Sequence, residues 1–265
     1  MTNVADNAKV ISGLENAKSS QTLVELPCGY LDAEGVHKDV ELREMTGNEE
    51  DLLASSAIPH HKKISALLSR CITRVGPYTD KGKIASIVQD LLLGDRVFLL
   101  FAVRRLTLGD EYPFRARCDS CNKEGSYLVD LSDLTIQEMP DPLKRIFDVE
   151  LPSGIVVRFR CLTGRDEEES HKRPDNENRA SVQILTRIEL INGQAPSMAS
   201  IKNLSSRDRD FLRAKMEEVD GGVDTALELQ CQFCDAEWSE DIEIGQPGFF
   251  FPSRVKKKLK LKSST

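Results

Sequence analysis

The sequence predicts an α+β protein built by internal duplication, each half a β-hairpin, two to three amphipathic helices and a C-x-x-C hairpin. The halves are expected to meet about a pseudo-twofold at one shared zinc site. Three observations lead to this. Two stretches copy one another, Phe114–Leu134 with Cys118-Asp-Ser-Cys121 and Leu227–Gly245 with Cys231-Gln-Phe-Cys234. Each C-x-x-C is followed by an alternating apolar–polar run, the pattern of a half-buried strand. Helical periodicity precedes the first motif, and the order of landmarks before it returns before the second.

Composition sets the bounds. A chain of 265 residues is long enough for one large domain or two small ones, with a real core. A formal charge of −7 argues against a protein that coats nucleic acid. Apolar runs fall short of the roughly 18–20 residues of a membrane helix. The most apolar run, Val97–Val103, is bracketed by Arg96 and Arg104. The N-terminus has no apolar signal core, so a non-secreted chain is expected. In that setting the seven cysteines, an odd number, read as thiols or metal ligands rather than disulfides.

Residues 1–21 read as a polar arm with a frayed end. The first repeat is expected over 22–140. Leu23-Val24-Glu25-Leu26 reads as a strand, Pro27-Cys28-Gly29 as its turn and Val40-Glu41-Leu42 as the return. Thr46 ahead of Asn48-Glu49-Glu50-Asp51 marks a helix start. Lys62–Val75 reads as one amphipathic helix, with Ile64, Leu67, Leu68, Cys71, Ile72 and Val75 on one face and Gly76-Pro77 as its stop. Lys83–Leu93 repeats the pattern. Asp95 then caps a third helix reaching Leu108, apolar on nearly every side and therefore central; Gly109 ends it.

Residues 141–148 form the expected linker, and a second repeat follows over 149–247. Val149-Glu150-Leu151-Pro152-Ser153-Gly154 echoes Val24-Glu25-Leu26-Pro27-Cys28-Gly29. Leu162-Thr163-Gly164 echoes Met45-Thr46-Gly47, and Thr186-Arg187-Ile188 echoes Thr73-Arg74-Val75. Asp208 answers Asp95, and Cys231 answers Cys118. The last three pairs share one offset, 113 positions. Earlier offsets are larger, as a longer first hairpin requires. This register sets Cys71 against Ile184, as a small core residue, and Cys28 against Ser153 in a turn. Cys161 lies in a strand, Ile155–Leu162, without a cysteine counterpart. Cys118, Cys121, Cys231 and Cys234 alone recur.

Two thiolates from one tight turn are half a tetrahedral zinc site, and two such turns face to face complete a Cys₄ site. A closed Cys₄ shell leaves no position for substrate, so the zinc is expected to be structural. Arg115, Arg117 and Lys123 flank the first turn, opposite Glu228, Gln230 and Ala236 in the second, and help offset the charge of the thiolates. The rival, a redox dithiol, places C-x-x-C at a helix N-terminus, whereas strand-like runs follow both motifs here. His60-His61, His37 and His171 lack further ligands nearby. Asp166-Glu167-Glu168-Glu169 suits the first turn of a helix without any catalytic role. Nothing in the sequence pairs a nucleophile with a base or cradles a phosphate, so no enzyme is expected.

The C-terminal segment, 248–265, is distinct. Phe249, Phe250 and Phe251 are adjacent, and each costs about 1.5–3 kcal/mol left in water. They either cover the end of the core or anchor a partner. Arg254, Lys256, Lys257 and Lys258, with Lys260 and Lys262, follow as a basic docking tail. Phe249, Phe250, Phe251, Arg254, Lys256, Lys257 and Lys258 are thus the expected partner-binding residues.

Taken together, Glu25–Gly29, Met45–Asp51, Leu67–Val75, Leu91–Arg96 and Cys118–Cys121 resemble the baseplate proteins of T-even-type, contractile-tailed bacteriophages. The second half carries the same pieces in degenerate form. The resemblance implies a non-enzymatic structural or assembly component near the baseplate hub. It implies partners among hub, tube, spike or wedge proteins, several copies in a symmetric assembly, and residence in the virion baseplate after assembly in the host cytoplasm. One departure, Gly94-Asp95 becoming Arg207-Asp208, implies a contact that the second half has lost. Two other readings remain open at this point: a nucleic-acid-associated zinc-ribbon factor using the basic tail, and a thiol oxidoreductase.

Overall fold

Residues 22–170, 179–244 and 247–251 are described by the computed structural model. The arm 1–21, His171, and Arg254, Lys256, Lys257 and Lys258 of the tail lie outside the described residues. Nine helices and five small antiparallel sheets make up the described residues, so the fold is mixed α+β.

Strands β1 (Thr22–Asp32) and β2 (Gly35–Leu42) form the first hairpin. Pro27-Cys28-Gly29 is not its turn. The chain bulges there, with a register shift between Glu25 and Tyr30, and the strand continues to Asp32. Pro27 has no N–H to give the ladder, and Gly29 takes φ 81, so the segment leaves the pairing without ending the strand. The Cys28 N–H donates instead to Asp95 Oδ1 at 2.8 Å. Helix α1 (Gly47–Ala54) opens as expected: the Thr46 N–H and hydroxyl both donate to Glu49 at 2.9 Å, and Arg43 grips the same carboxylate with two nitrogens at 3.0 Å.

Helix α2 (His60–Cys71) stops four residues before the sequence pattern does. Ile72–Val75 form strand β3, paired with β2. Ile72 and Val75 are buried in this strand, so apolar spacing did not discriminate. The β-branched Ile72, Thr73 and Val75 favour the strand. Helix α3 (Lys81–Asp90) starts at the Asp80 cap, earlier than expected, and α4 (Leu93–Leu108) follows with Leu92 at its N-cap. Asp95 therefore lies in the first turn of α4 rather than capping it. Helix α4 is central, burying Phe98, Leu99, Leu100, Phe101 and Val103, until Gly109 ends it at φ 85. Hairpin β4 (Glu111–Arg117) and β5 (Glu124–Asp130) and the short β6 (Ile136–Gln137) complete this half.

The second half runs in a similar element order: β7 (Ile146–Glu150), β8 (Val156–Arg160), α5 (Gly164–Ser170), α6 (Arg179–Arg187), β9 (Ile188–Ile191), α7 (Met198–Lys202) and α8 (Ser206–Val219). Then come β10 (Gly222–Val223), β11 (Ala226–Gln230), β12 (Glu237–Asp241) and α9 (Pro247–Phe250), with β10 ahead of its cysteine hairpin where β6 follows the first. Strand β7 starts inside the expected linker, because Phe147 stacks on Phe159 across the β7–β8 pair. Local contacts recur as well. Arg160 grips Asp166, and Thr163 donates to it twice, as Arg43 and Thr46 do to Glu49. Asp208 Oδ1 accepts from the Ser153 N–H at 3.1 Å, as Asp95 does from Cys28. Val75 and Tyr78 exchange two backbone hydrogen bonds across a tight turn, and so do Ile191 and Gln194. This last correspondence corrects one landmark. Ile188 and Ile191 stand where Ile72 and Val75 stand against β2, so Thr186-Arg187-Ile188 is not the counterpart of Thr73-Arg74-Val75. Cys71 answers Arg187, not Ile184. The change in offset is absorbed by α7, at five residues half the length of α3.

The main core belongs to the first half, with Ile242, Phe249 and Phe250 added from the C-terminal end. A second core sits inside the later half, and Cys28, Leu92, Met139 and Cys161 fill a small cluster between them. Polar and backbone contacts also cross between the halves. Arg96, 1% exposed, donates to Val88 O at 2.7 Å, Ser65 Oγ at 3.1 Å and Glu167 Oε2 at 2.9 Å. Gly94 lies against Gly221 and Gly222; a Cβ there would sit 1.7 Å from Gly221 O. Its counterpart Arg207 is exposed, so the first half alone uses this position for a backbone crossing. Gly94→Ala is expected to lower the unfolding free energy by about 1–3 kcal/mol or more in urea titrations. Gly47→Ala, where a Cβ meets open space, should leave it unchanged or slightly raised.

Candidate metal centre

Both C-x-x-C motifs occupy hairpin tips. Strands β4 and β5 pair up to Arg117–Glu124, and β11 and β12 up to Gln230–Glu237. The two turns have one geometry. Cys118 N–H donates to Lys123 O and Asn122 N–H to Cys118 O; Cys231 N–H donates to Ala236 O and Asp235 N–H to Cys231 O. Each turn needs one left-handed residue. Asn122 (φ 56) and Asp235 (φ 58) supply it at equivalent positions, being the types other than glycine that adopt it most readily.

Side chains hold the tips together. The Tyr127 hydroxyl donates to Gln230 O at 3.2 Å, and Gln232 Nε2 donates to Ser126 O at 2.7 Å. The Tyr127 and Trp238 rings meet edge to face, and Lys123 lies over the Phe233 ring. The four sulfurs of Cys118, Cys121, Cys231 and Cys234 then lie within 4.8 Å of one another. Cys118 Sγ is 3.7 Å from Cys234 Sγ, and Cys121 Sγ is 3.6 Å from Cys231 Sγ. These separations are far beyond a disulfide bond of about 2.05 Å. They match the edge of a tetrahedron with metal–sulfur bonds of about 2.3 Å, close to 3.8 Å. The four residues could therefore hold a metal ion. Cys118 and Cys231 are buried, Cys121 is half-buried and Cys234 is exposed, so each hairpin gives one inner and one outer thiol. Burial pushes the Cys231 thiol up, but N–H groups of Phe233 and Cys234 and the neighbouring thiols outweigh it and bring it down to about 7. The Phe233 N–H is 3.4 Å from that sulfur. The Ala236 N–H pulls the Cys234 thiol down, but its hydrogen bonds to Cys231, Cys121 and Cys118, together with burial, outweigh it and push that thiol up to about 12.

The other cysteines are set apart. Cys71 is in the main core, while Cys28 and Cys161 lie in the cluster between the halves. Burial pushes all three thiols up, Cys71 to about 12 and Cys161 to about 11. Among the described residues, the remaining sequence candidates lie elsewhere. His37 contacts Asp32 at 3.1 Å beside Tyr30 and Tyr78. Asp166, Glu167 and Glu168 bind Arg160, Arg96 and Ser65 respectively. Arg115 faces Glu124 at 3.5 Å on its own hairpin, so it is partly neutralised there.

Of the aromatic triplet, Phe249 and Phe250 are buried in the main core. The Phe249 ring meets Phe101 and Tyr112, and its carbonyl accepts from the buried Arg104 Nε at 3.1 Å. They cover the end of the core. Phe251 packs partly buried against the same cluster. The aromatic left in water is Phe233, 53% exposed, a position the sequence pattern gave no reason to single out. The bridging roles of Tyr127 and Gln232 were equally unmarked, since they depend on a neighbour more than one hundred residues away. No helix among the described residues is long and apolar enough to cross a membrane.

A family model described as "T4 bacteriophage base plate protein" matches residues 31–252. No curated protein and no solved structure matches the chain.

With metal bound, all seven thiols of the native chain should resist a thiol reagent such as DTNB. A strong chelator should expose four, leaving Cys28, Cys71 and Cys161 protected until denaturant is added. The chelated protein should melt on the order of 10 °C lower, as loss of a few kcal/mol implies. Titration with reagent and scanning calorimetry check both.

Proposed function

The chain belongs to the T4 bacteriophage base plate protein family, and on that premise we propose a structural and assembly component of the tail baseplate, near its central hub, stapled by one zinc ion. The observation that carries the proposal is the convergence of Cys118, Cys121, Cys231 and Cys234 from two hairpins 113 positions apart. Four thiolates at tetrahedral spacing favour zinc, a soft-ligand ion without redox chemistry. Such a closed shell supplies folding energy and leaves no position for substrate, which supports a non-enzymatic role. The similar element order and the paired Arg43–Glu49 and Arg160–Asp166 grips support an internal duplication over 22–140 and 149–247.

The zinc joins the halves, so hub, tube, spike or wedge proteins meet one rigid body rather than two tethered ones. Assembly takes place in the host cytoplasm, with several copies arranged under the symmetry of the baseplate. A redox role is disfavoured because both C-x-x-C motifs sit between strands rather than at a helix N-terminus. A nucleic-acid role is disfavoured by the acidic balance of the chain.

Quantitative mass spectrometry of gradient-purified tails and baseplate intermediates tests the proposal. The chain should appear at a fixed ratio to the other baseplate proteins, in the intermediates, the tails or both. Cys231→Ser should lose zinc, fold poorly and drop out of them. Absence of the native chain from every assembly fraction overturns the proposal.

A further inference from the structure

Hairpins β4–β5 and β11–β12 are two-stranded sheets, so β5 and β11 each keep one edge without a strand partner. These two edges face each other. Near the tips they are tied by Tyr127 to Gln230 and by Gln232 to Ser126. At the far end Asp224 N–H donates to Thr135 O, where β10 pairs with β6. Between the ties the strands part around a groove of 340 Å³, walled by Leu128–Asp130, Asp133–Thr135 and Ala226–Glu228.

The groove has two chemistries. On the solvent face Asp130, Asp133, Asp224 and Glu228 are exposed, and none makes an ion pair among the described residues. On the inner face Val129, Leu134 and Leu227 rest on the main core. Leu128 stands 63% exposed at its rim. An occupant that satisfies both faces is an extended segment with alternating cationic and apolar residues, able to hydrogen-bond the open edges. The chain carries such a segment itself. Lys258-Leu259-Lys260-Leu261-Lys262 has that alternation, within a basic run from Arg254.

We propose that the basic tail, Arg254–Lys262, is the strand that fills the groove between β5 and β11. Its lysines pair with Asp130, Asp133, Asp224 and Glu228, and Leu259 and Leu261 turn toward Val129, Leu134 and Leu227. Phe251 packs on the same core as the groove lining, and the seven residues from it to Lys258 can span roughly 24 Å when extended. Occupation also removes two open strand edges beside the cysteine cluster, a known route to aggregation when left bare. The proposal rests on strand edges and charge, and stands apart from the baseplate assignment and from the identity of the metal.

The test compares the full chain with a full chain carrying Lys258→Glu, Lys260→Glu and Lys262→Glu, by hydrogen exchange read by mass spectrometry. The native protein should protect 124–130 and 226–230 roughly tenfold more than the variant, and high salt should shrink the difference. A photo-crosslinking amino acid at Leu128 should capture residues 254–262, of the same chain or of a second copy. Equal exchange in both proteins overturns the proposal, as does a crosslink pattern that omits the tail. Unchanged protection at α4 in the variant separates loss of the strand from loss of the fold.

Discussion

Two short turns, 113 positions apart in sequence, must present four sulfurs within 4.8 Å. That requirement constrains everything between them. A tetrahedral site tolerates only small errors in position, so both hairpins need a firm seat, and both find it on the main core. The first is seated on the main core through Tyr112, Phe114 and Val129. The second reaches the same core through Leu227 and Ile242. The tips are then aligned by neutral contacts, Tyr127 to Gln230 and Gln232 to Ser126. Until metal binds, these are modest interactions, on the order of 1 kcal/mol each. An ion held by all four thiolates would add far more.

Helix α4 is the frame on which the arrangement is built. Most of its faces are buried, and three of its charged side chains are buried with them. Each has a stated task. Asp95 holds the β1 bulge through the Cys28 N–H, and burial pushes its carboxyl up to about 6. Arg96 crosses to Glu167 in the second half. Arg104 binds the carbonyls of Gly109, Glu111 and Phe249, tying the start of the first cysteine hairpin to the C-terminal aromatic segment. The second half has no equal of this helix: α8 buries only Asp208, Leu212 and Met216. The helix at the matching place in the later half therefore carries far less of the buried core.

Much of this was legible in the sequence because it is carried by local signals. The Thr46 and Thr163 helix starts, the Gly109 stop, the encircling apolar pattern of α4 and the four recurring cysteines all follow from residue type and spacing. What was not legible depended on partners distant in sequence. Ile72–Val75 bury the same residues as helix or strand, and β2 alone decides between them. Pro27-Cys28-Gly29 has turn chemistry, yet Asp95 converts it into a bulge within a longer strand. Phe249 and Phe250 could cover a core or greet a partner; Phe101, Tyr112 and Arg104 settle that they cover the core. Constant spacing could not locate the counterpart of Thr73–Val75, because α7 is only five residues long where α3 has ten.

The central claim is that one zinc ion on four cysteines joins the halves. X-ray absorption at the zinc edge of the purified full chain measures this directly. The account predicts one zinc per chain with four sulfur neighbours at about 2.3 Å and no nitrogen or oxygen in the shell. Zinc at well below one equivalent, or a shell containing oxygen or nitrogen, would contradict it.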